Sequence, residues 1–307
     1  REIRNLIIVD DYLSPIVYRR TVDSDNPGFV KAERFNAFYE RLKEMEPERF
    51  SMEYGVPIEN IEIVHIAAAM VKRMLVHLMA DNLWAPGATL TDGIAYEYGE
   101  RKRLIAMSHD FDEDIVACAR GISRRYMGDD IRSQNIESLS LSIFDSIKKI
   151  SGLGKRDRLI LRLAGILHDC GKYISLHNMS SCSYDIIMST EIIGLSHDER
   201  EILANVVKHN HTYLEFDIEK AGIMMYNEEA YQRIAKLTAI LRLANGMDKS
   251  KKQKFSGIRV SLKDDILEIT IRTNKDITLE KGLFEKKADF FEEIFNVRPV
   301  IRQIAKL

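Results

Sequence analysis

The sequence predicts a mostly α-helical chain with α/β flanks, and three observations carry that reading. Between residues 109 and 250, apolar residues recur at three- and four-residue spacing almost without interruption. From residue 256 the period switches to two. Before residue 107, strand and helix signals are mixed.

Taken in order, Leu6–Val9 reads as a short buried strand. Val30, Phe35, Phe38 and Leu42 mark one face of a helix, and Ile61–Met79 is a second, strongly apolar one. The stretch Asn82–Tyr98 reads as strand, turn, strand, with Gly87 and Thr91-Asp92-Gly93 supplying the turns. Ile136, Leu139, Ile143, Ile147 and Ile150 form one buried helical stripe. Ser196 and Glu199 make a capping box that opens a helix through Val207, and Asn227-Glu228-Glu229 starts another that runs to about Gly246. Ile258, Val260 and Leu262, then Leu267, Ile269 and Ile271, alternate across a Lys-Asp-Asp turn as a β-hairpin. A helix over 281–295 and a strand near 298–303 complete a small ββαβ module.

Composition narrows the function classes. A chain of 307 residues has room for two or three domains. A hydrophobic share of 45% with 30% charged residues is that of a soluble globular protein. The net charge of −2 provides no general field for nucleic acid, so any polyanion site must be local. Cys118, Cys170 and Cys182 are odd in number and form no CxxC, which points to the cytoplasm rather than to a disulfide framework. No apolar run reaches the roughly 18 residues of a membrane span. The opening REIRNLIIVDD is not a signal peptide, and its direct start into a strand suggests a piece of something longer.

Few motifs carry chemistry. There is no GxSxG, no zinc-type ligand spacing and no complete phosphate loop. Gly152-Leu153-Gly154-Lys155 reads as a turn joining two helices. His65 and His77 read as structural, and His209 and His211 stand where a further metal ligand is conceivable. His followed by Asp occurs three times, at 109, 168 and 197. Only His168-Asp169 ends an apolar helical run and is followed by a helix-stopping Cys-Gly-Lys turn.

In that context LRLAGILHDCGK (161–172) and LRLANGMDKS (241–250) resemble the core of an HD domain, an all-helical phosphohydrolase fold that holds a metal with His, His-Asp and Asp. With SSCSYDIIMSTEIIGLSHDEREILANVVKHN and the upstream ENIEIVHIAAAMVKRML…LWAPGATLTDGIAYEYGE, the whole chain resembles the C-terminal part of the exopolyphosphatase/guanosine pentaphosphatase (Ppx/GppA) family. The resemblance implies three domains. Residues 1–107 would end a ribonuclease-H-like, actin-like phosphatase lobe, 108–253 would form a degenerate HD-like helical domain, and 254–307 a small α+β domain.

It also implies magnesium-dependent hydrolysis of polyphosphate or guanosine pentaphosphate in the intact enzyme, on phosphate loops and a glutamate for which this sequence offers no match. No metal or other cofactor is then expected on this chain. At the HD positions Arg132 replaces the first His, Cys182 and Asn210 replace two further ones, and Asn245 replaces the last Asp. His168 and Asp169 remain as a vestigial pair, with Arg132 expected beside Asp169. Lys249, Lys251, Lys252 and Lys254 form a local basic run, a candidate polyanion-binding stretch. Homodimer formation is expected, with no specific nucleic-acid binding. Two alternatives stand beside this reading: an active metal-dependent HD-type nucleotide phosphohydrolase, and a non-catalytic polyphosphate- or alarmone-binding and dimerisation module.

Overall fold

The computed structural model describes residues 3–21, 26–106, 109–212, 228–255 and 257–305. It is mostly helical, with two small mixed sheets. Contacts divide the chain into two compact units, Arg1–Ser108 and His109–Leu307. Among the described residues no helix is long and apolar enough to cross a membrane.

The first unit contains β1 (Asn5–Ile7), α1 (Leu13–Arg19), β2 (Phe29–Lys31), α2 (Ala32–Lys43), α3 (Pro47–Tyr54), α4 (Ile61–Leu78), β3 (Asn82–Trp84) and α5 (Leu90–Arg101). β3 is the middle strand, parallel to β1 and antiparallel to β2, so Leu6 and Val30 flank the fully buried Leu83. Val30 therefore belongs to β2, while Phe35 and Leu42 turn α2 into the core beside Phe50, Val64, Ala68 and Leu75. Pro47 starts α3, where its missing N–H costs nothing, and Gly55 ends it at φ +65°.

The expected second strand near residue 98 is a helix instead. Thr89 accepts from the Asp92 backbone N–H while Asp92 accepts from that of Thr89, a reciprocal cap that nucleates α5. Thr91, Asp92 and Gly93 are its first turn.

The second unit runs α6 (Phe111–Arg125), α7 (Asp130–Ser151), α8 (Lys155–Leu167), α9 (Met179–Ser189), α10 (His197–His209), α11 (Glu228–Met247), β4 (Arg259–Lys263), β5 (Ile266–Arg272), α12 (Thr278–Phe295) and β6 (Arg298–Ile304). Ile136, Leu139, Ile143 and Ile147 are buried, but the last residue of that stripe, Ile150, is half exposed. Gly152 ends α7 at φ +67°, and Gly154 opens α8 with its N–H donating to Asp157. The Gly-Leu-Gly-Lys run is thus a helix joint. α10 carries the Ser196–Glu199 capping box. The proposed start of the next helix at Asn227 lies outside the described residues; α11 follows from Glu228.

α11 is buried on every side from Leu237 to Ala244, which makes it the axis of the bundle. β5 pairs antiparallel with β4 and parallel with β6. Its inward residues Leu267, Ile269 and Ile271 are fully buried with Phe284, Ala288 and Phe291 of α12 in one core that continues into the helices. Each of the Leu, Ile and Phe side chains among them contributes about 2 kcal/mol by leaving water. The segment after 254 is held by the same core as α11.

Candidate functional site

Four helix ends meet at one place in the second unit. Asp129 caps α7 by accepting from the N–H groups of Ile131 and Arg132, which sets Arg132 in the first helical turn. The apolar run of α8 delivers His168 at its C-cap. Asp169 follows, and a tight turn over Cys170–Tyr173 carries the chain away. That turn admits only glycine at 171, because a Cβ there would lie 2.2 Å from Met179 O and 2.4 Å from Ser183 N. The end of α10 supplies Asn210, and α11 supplies Asn245 and then Asp248.

Arg132 sits at the centre with its side chain only 7% exposed. Nη1 donates to Asp169 Oδ2 at 2.9 Å, and Nη2 donates to Asn245 Oδ1 at 2.7 Å. Nε faces the buried Asp248 Oδ2 at 3.9 Å. Asn245 Nδ2 reaches Asn210 Oδ1 at 3.5 Å, and Asn210 Nδ2 donates to His211 Nε2 at 3.2 Å. Arg132, Asp169, Asn210 and Asn245 are therefore one network. Cys182 is not part of it; it lies half-buried on α9 and makes no side-chain bond to these groups among the described residues.

His168 is 1% exposed. The Gly165 carbonyl can only accept, so Nδ1 carries the proton and donates to it at 2.9 Å. Nε2 is left as a buried lone pair with no hydrogen-bond partner among the described residues, 3.8 Å from Asp169 Oδ2. Burial pushes the imidazole down to about 4, against the opposing pull of Asp169 and with added repulsion from Arg132, so it is neutral at pH 7. Burial also opposes ionisation of Asp169, but His168, Arg132, Lys172 and Lys251 outweigh it and hold that carboxyl below its usual range. Burial raises Asp248.

The His168 tautomer is the one a metal-binding histidine adopts, with Nδ1 fixed by a carbonyl and Nε2 presented. The rest of the donor set does not fit a metal. Asp169 is already bonded to a permanent cation, Asp248 faces the same guanidinium, and the amides at 210 and 245 are neutral, so a divalent ion would meet the like charge of Arg132 at the centre of the site. Among the described residues no group of three or more His, Cys, Asp and Glu side chains could hold a metal ion.

The basic run does not form one cluster. Lys249 and Lys252 are exposed. Lys251, at φ +57°, has its ammonium pushed down first by contact with Lys172, then by burial, beside the Arg132 network. Lys254 turns inward, donating to Asp276 O at 2.7 Å and to the fully buried Glu280 at 3.0 Å. His65 is structural, with its ring nitrogens on the carbonyls of Ile61 and Leu42.

Sequence reasoning passed over two acidic pairings. Asp248 closes the Arg132 network from the end of α11, three residues past Asn245. In the first unit, Asp10 accepts from the N–H groups of Tyr12, Leu13 and Ser14 at the start of α1, while Asp11 accepts from Leu90 N at the start of α5. The protein's own carboxylates thus fill the two helix starts that meet at this loop. An Asp-Asp pair between a strand and a helix was the available signal.

Compared with protein-family models, residues 116–289 match the Ppx/GppA phosphatase, domain III. No curated protein matches the chain.

Proposed function

Because the chain belongs to the Ppx/GppA phosphatase family, we propose that it is the C-terminal portion of an exopolyphosphatase-like phosphoanhydride hydrolase, and that residues 1–307 grip the phosphate chain without cleaving it. In the intact enzyme, magnesium and a glutamate base would act on polyphosphate or guanosine pentaphosphate from elements for which this sequence has no match. The observation that carries the reading is the Arg132–Asp169 contact at 2.9 Å. It turns the ligand set of an HD-type hydrolase into an internal ion pair, which speaks against the rival metal-dependent nucleotide phosphohydrolase.

A second observation favours a gripping role. The outward face of the C-terminal sheet carries Arg259, Lys263, Arg272 and Arg302 around a hollow of about 660 Å³, with Glu268 as the one carboxylate of its lining. The strand register sets Arg259 and Arg302 on either side of Thr270. Among the described residues Arg259, Lys263 and Arg272 have no carboxylate partner, so their donors are free for phosphate oxygens. Lys249 and Lys252 add exposed charge elsewhere on the unit.

The test is to incubate the chain with polyphosphate and magnesium and measure orthophosphate, then to titrate labelled polyphosphate at low and moderate salt. No release is expected, with affinity that falls steeply with salt as counterions compete. Metal-dependent release abolished by His168→Ala would establish the rival hydrolase instead.

A further inference from the structure

A cleft of about 610 Å³ opens in the first unit between α1, β2, α2 and α3. Its floor is apolar. Ile16, Val17 and Phe35 are buried in the core, and Val30 and Phe38 pack against it. The rings of Phe35, Phe38 and Tyr54 follow one another at centroid separations of 5.9 and 5.7 Å and form one wall. Small-molecule sites are built this way, as concave apolar surfaces of roughly 300–1,000 Å³ with a few polar groups at fixed points.

The charged groups of this cleft are all of one sign. Arg20, Arg34 and Arg41 line it, and among the described residues no carboxylate does. Positions 34, 38 and 41 fall on one stripe of α2, so Phe38 lies between two arginines. Arg20 follows α1, with its guanidinium 4.4 Å from the centroid of the Tyr54 ring. Arg20 and Arg41 each donate from Nη2 to the same oxygen of Glu53 at 2.8 Å. The bond from Arg20 holds that carboxyl below its usual range, so it stays ionised and orients both guanidiniums. Arg34 is exposed and has no ion-pair or hydrogen-bond partner among the described residues.

The remaining polar side chains of the lining are already engaged. The Thr21 hydroxyl donates to the Val17 and Tyr18 carbonyls and accepts from Gly28 N, and the Tyr54 hydroxyl meets Glu53. The floor therefore has no side chain with which to read a nucleobase or a sugar, whose polar edges would be buried unpaired. Orthophosphate would meet the arginines and leave the apolar floor uncovered. A hydrocarbon body that ends in a carboxylate satisfies both parts, because the body covers the floor and a guanidinium fork donates two parallel bonds to the planar head.

We propose that this cleft binds an amphiphilic carboxylic acid, with its hydrocarbon body on Val17, Val30, Phe35 and Phe38 and its carboxylate on Arg34, in the field of Arg20 and Arg41. The site is separate from the phosphate grip proposed for the second unit and stands or falls independently of it.

Isothermal titration of the full chain with decanoate should show saturable binding in the micromolar range. Decanol, the same body without the charge, should bind about tenfold more weakly, and orthophosphate should give no measurable heat. Arg34→Gln should weaken decanoate about tenfold and leave decanol unchanged. Ala37→Trp places an indole in the cleft from an exposed position of α2 and should abolish binding of both. Both substituted positions are exposed, so circular dichroism and melting temperature should match the unaltered chain. The absence of saturable heat with decanoate, decanol or orthophosphate binding as tightly as decanoate, or decanoate affinity unchanged in either variant would each overturn the proposal.

Discussion

Arg132 and Asp169 form an ion pair at 2.9 Å with both side chains nearly withdrawn from water, at 7% and 11% exposure. Removing one partner strands the other. Arg132→Ala should destabilise the second unit by about 3–5 kcal/mol, while Arg132→Met with Asp169→Leu should cost clearly less than either change alone. Urea denaturation of the unaltered chain, the three single variants and the double variant gives the comparison; additive losses would mean that the pair is not coupled.

Metal affinity should be absent from the unaltered chain and recoverable. Arg132→His with Asn245→Asp would place two new donors beside Asp169 and the presented His168 Nε2. Manganese or iron binding is expected in the double variant by isothermal titration, with elemental analysis of the parent showing no stoichiometric metal. A parent that carries one equivalent of metal would reverse the reading of this site.

Stability should fall with acid earlier than carboxylates alone require. His168 titrates near 4 in the folded chain against an ordinary 6.5. Above pH 6.5 neither state binds the proton, and the full stability is present. Between 6.5 and about 4 the unfolded chain takes up a proton that the native site refuses, so stability drops at a slope approaching about 1.4 kcal/mol per pH unit. His168→Gln should flatten the denaturation midpoint over that window. An unchanged slope would place the titrating group elsewhere.

The lysines at 249–254 should separate into two classes. Lys254→Met leaves the buried Glu280 carboxylate without its cation and should cost about 3 kcal/mol. Lys249→Gln and Lys252→Gln, both exposed, should change stability by less than about 0.5 kcal/mol. Equal melting behaviour in all three variants would show that Lys254 is as dispensable as its neighbours.

The helices of the second unit were legible because their apolar spacing continues over several turns, and the switch to alternation at 256 announced the sheet. α5 was not legible. Thr, Asp and Gly favour turns and helix starts alike, and only the three-residue offset of Thr89 from Asp92 separates the two. Arg132, Asp169, Asn210 and Asn245 were grouped through the resemblance to an HD domain rather than by local pattern, and the same resemblance put Cys182 with them, which the network leaves out. Asp248 and the inward turn of Lys254 come after the last turn of α11, where tertiary packing aims the side chain.

The reach of Arg132 has a consequence for how the second unit assembles. Its two guanidinium arms join α7 to the end of α8, 37 residues on, and to α11, 113 residues on. A nascent bundle of α7 and α8 alone would hold a buried cation whose second arm has no acceptor, and α11 cannot dock without supplying that acceptor. Early and late parts of the chain are therefore bound into a single all-or-none step. Amide hydrogens at the start of α7 and along the middle of α11 should exchange together, with one common opening free energy.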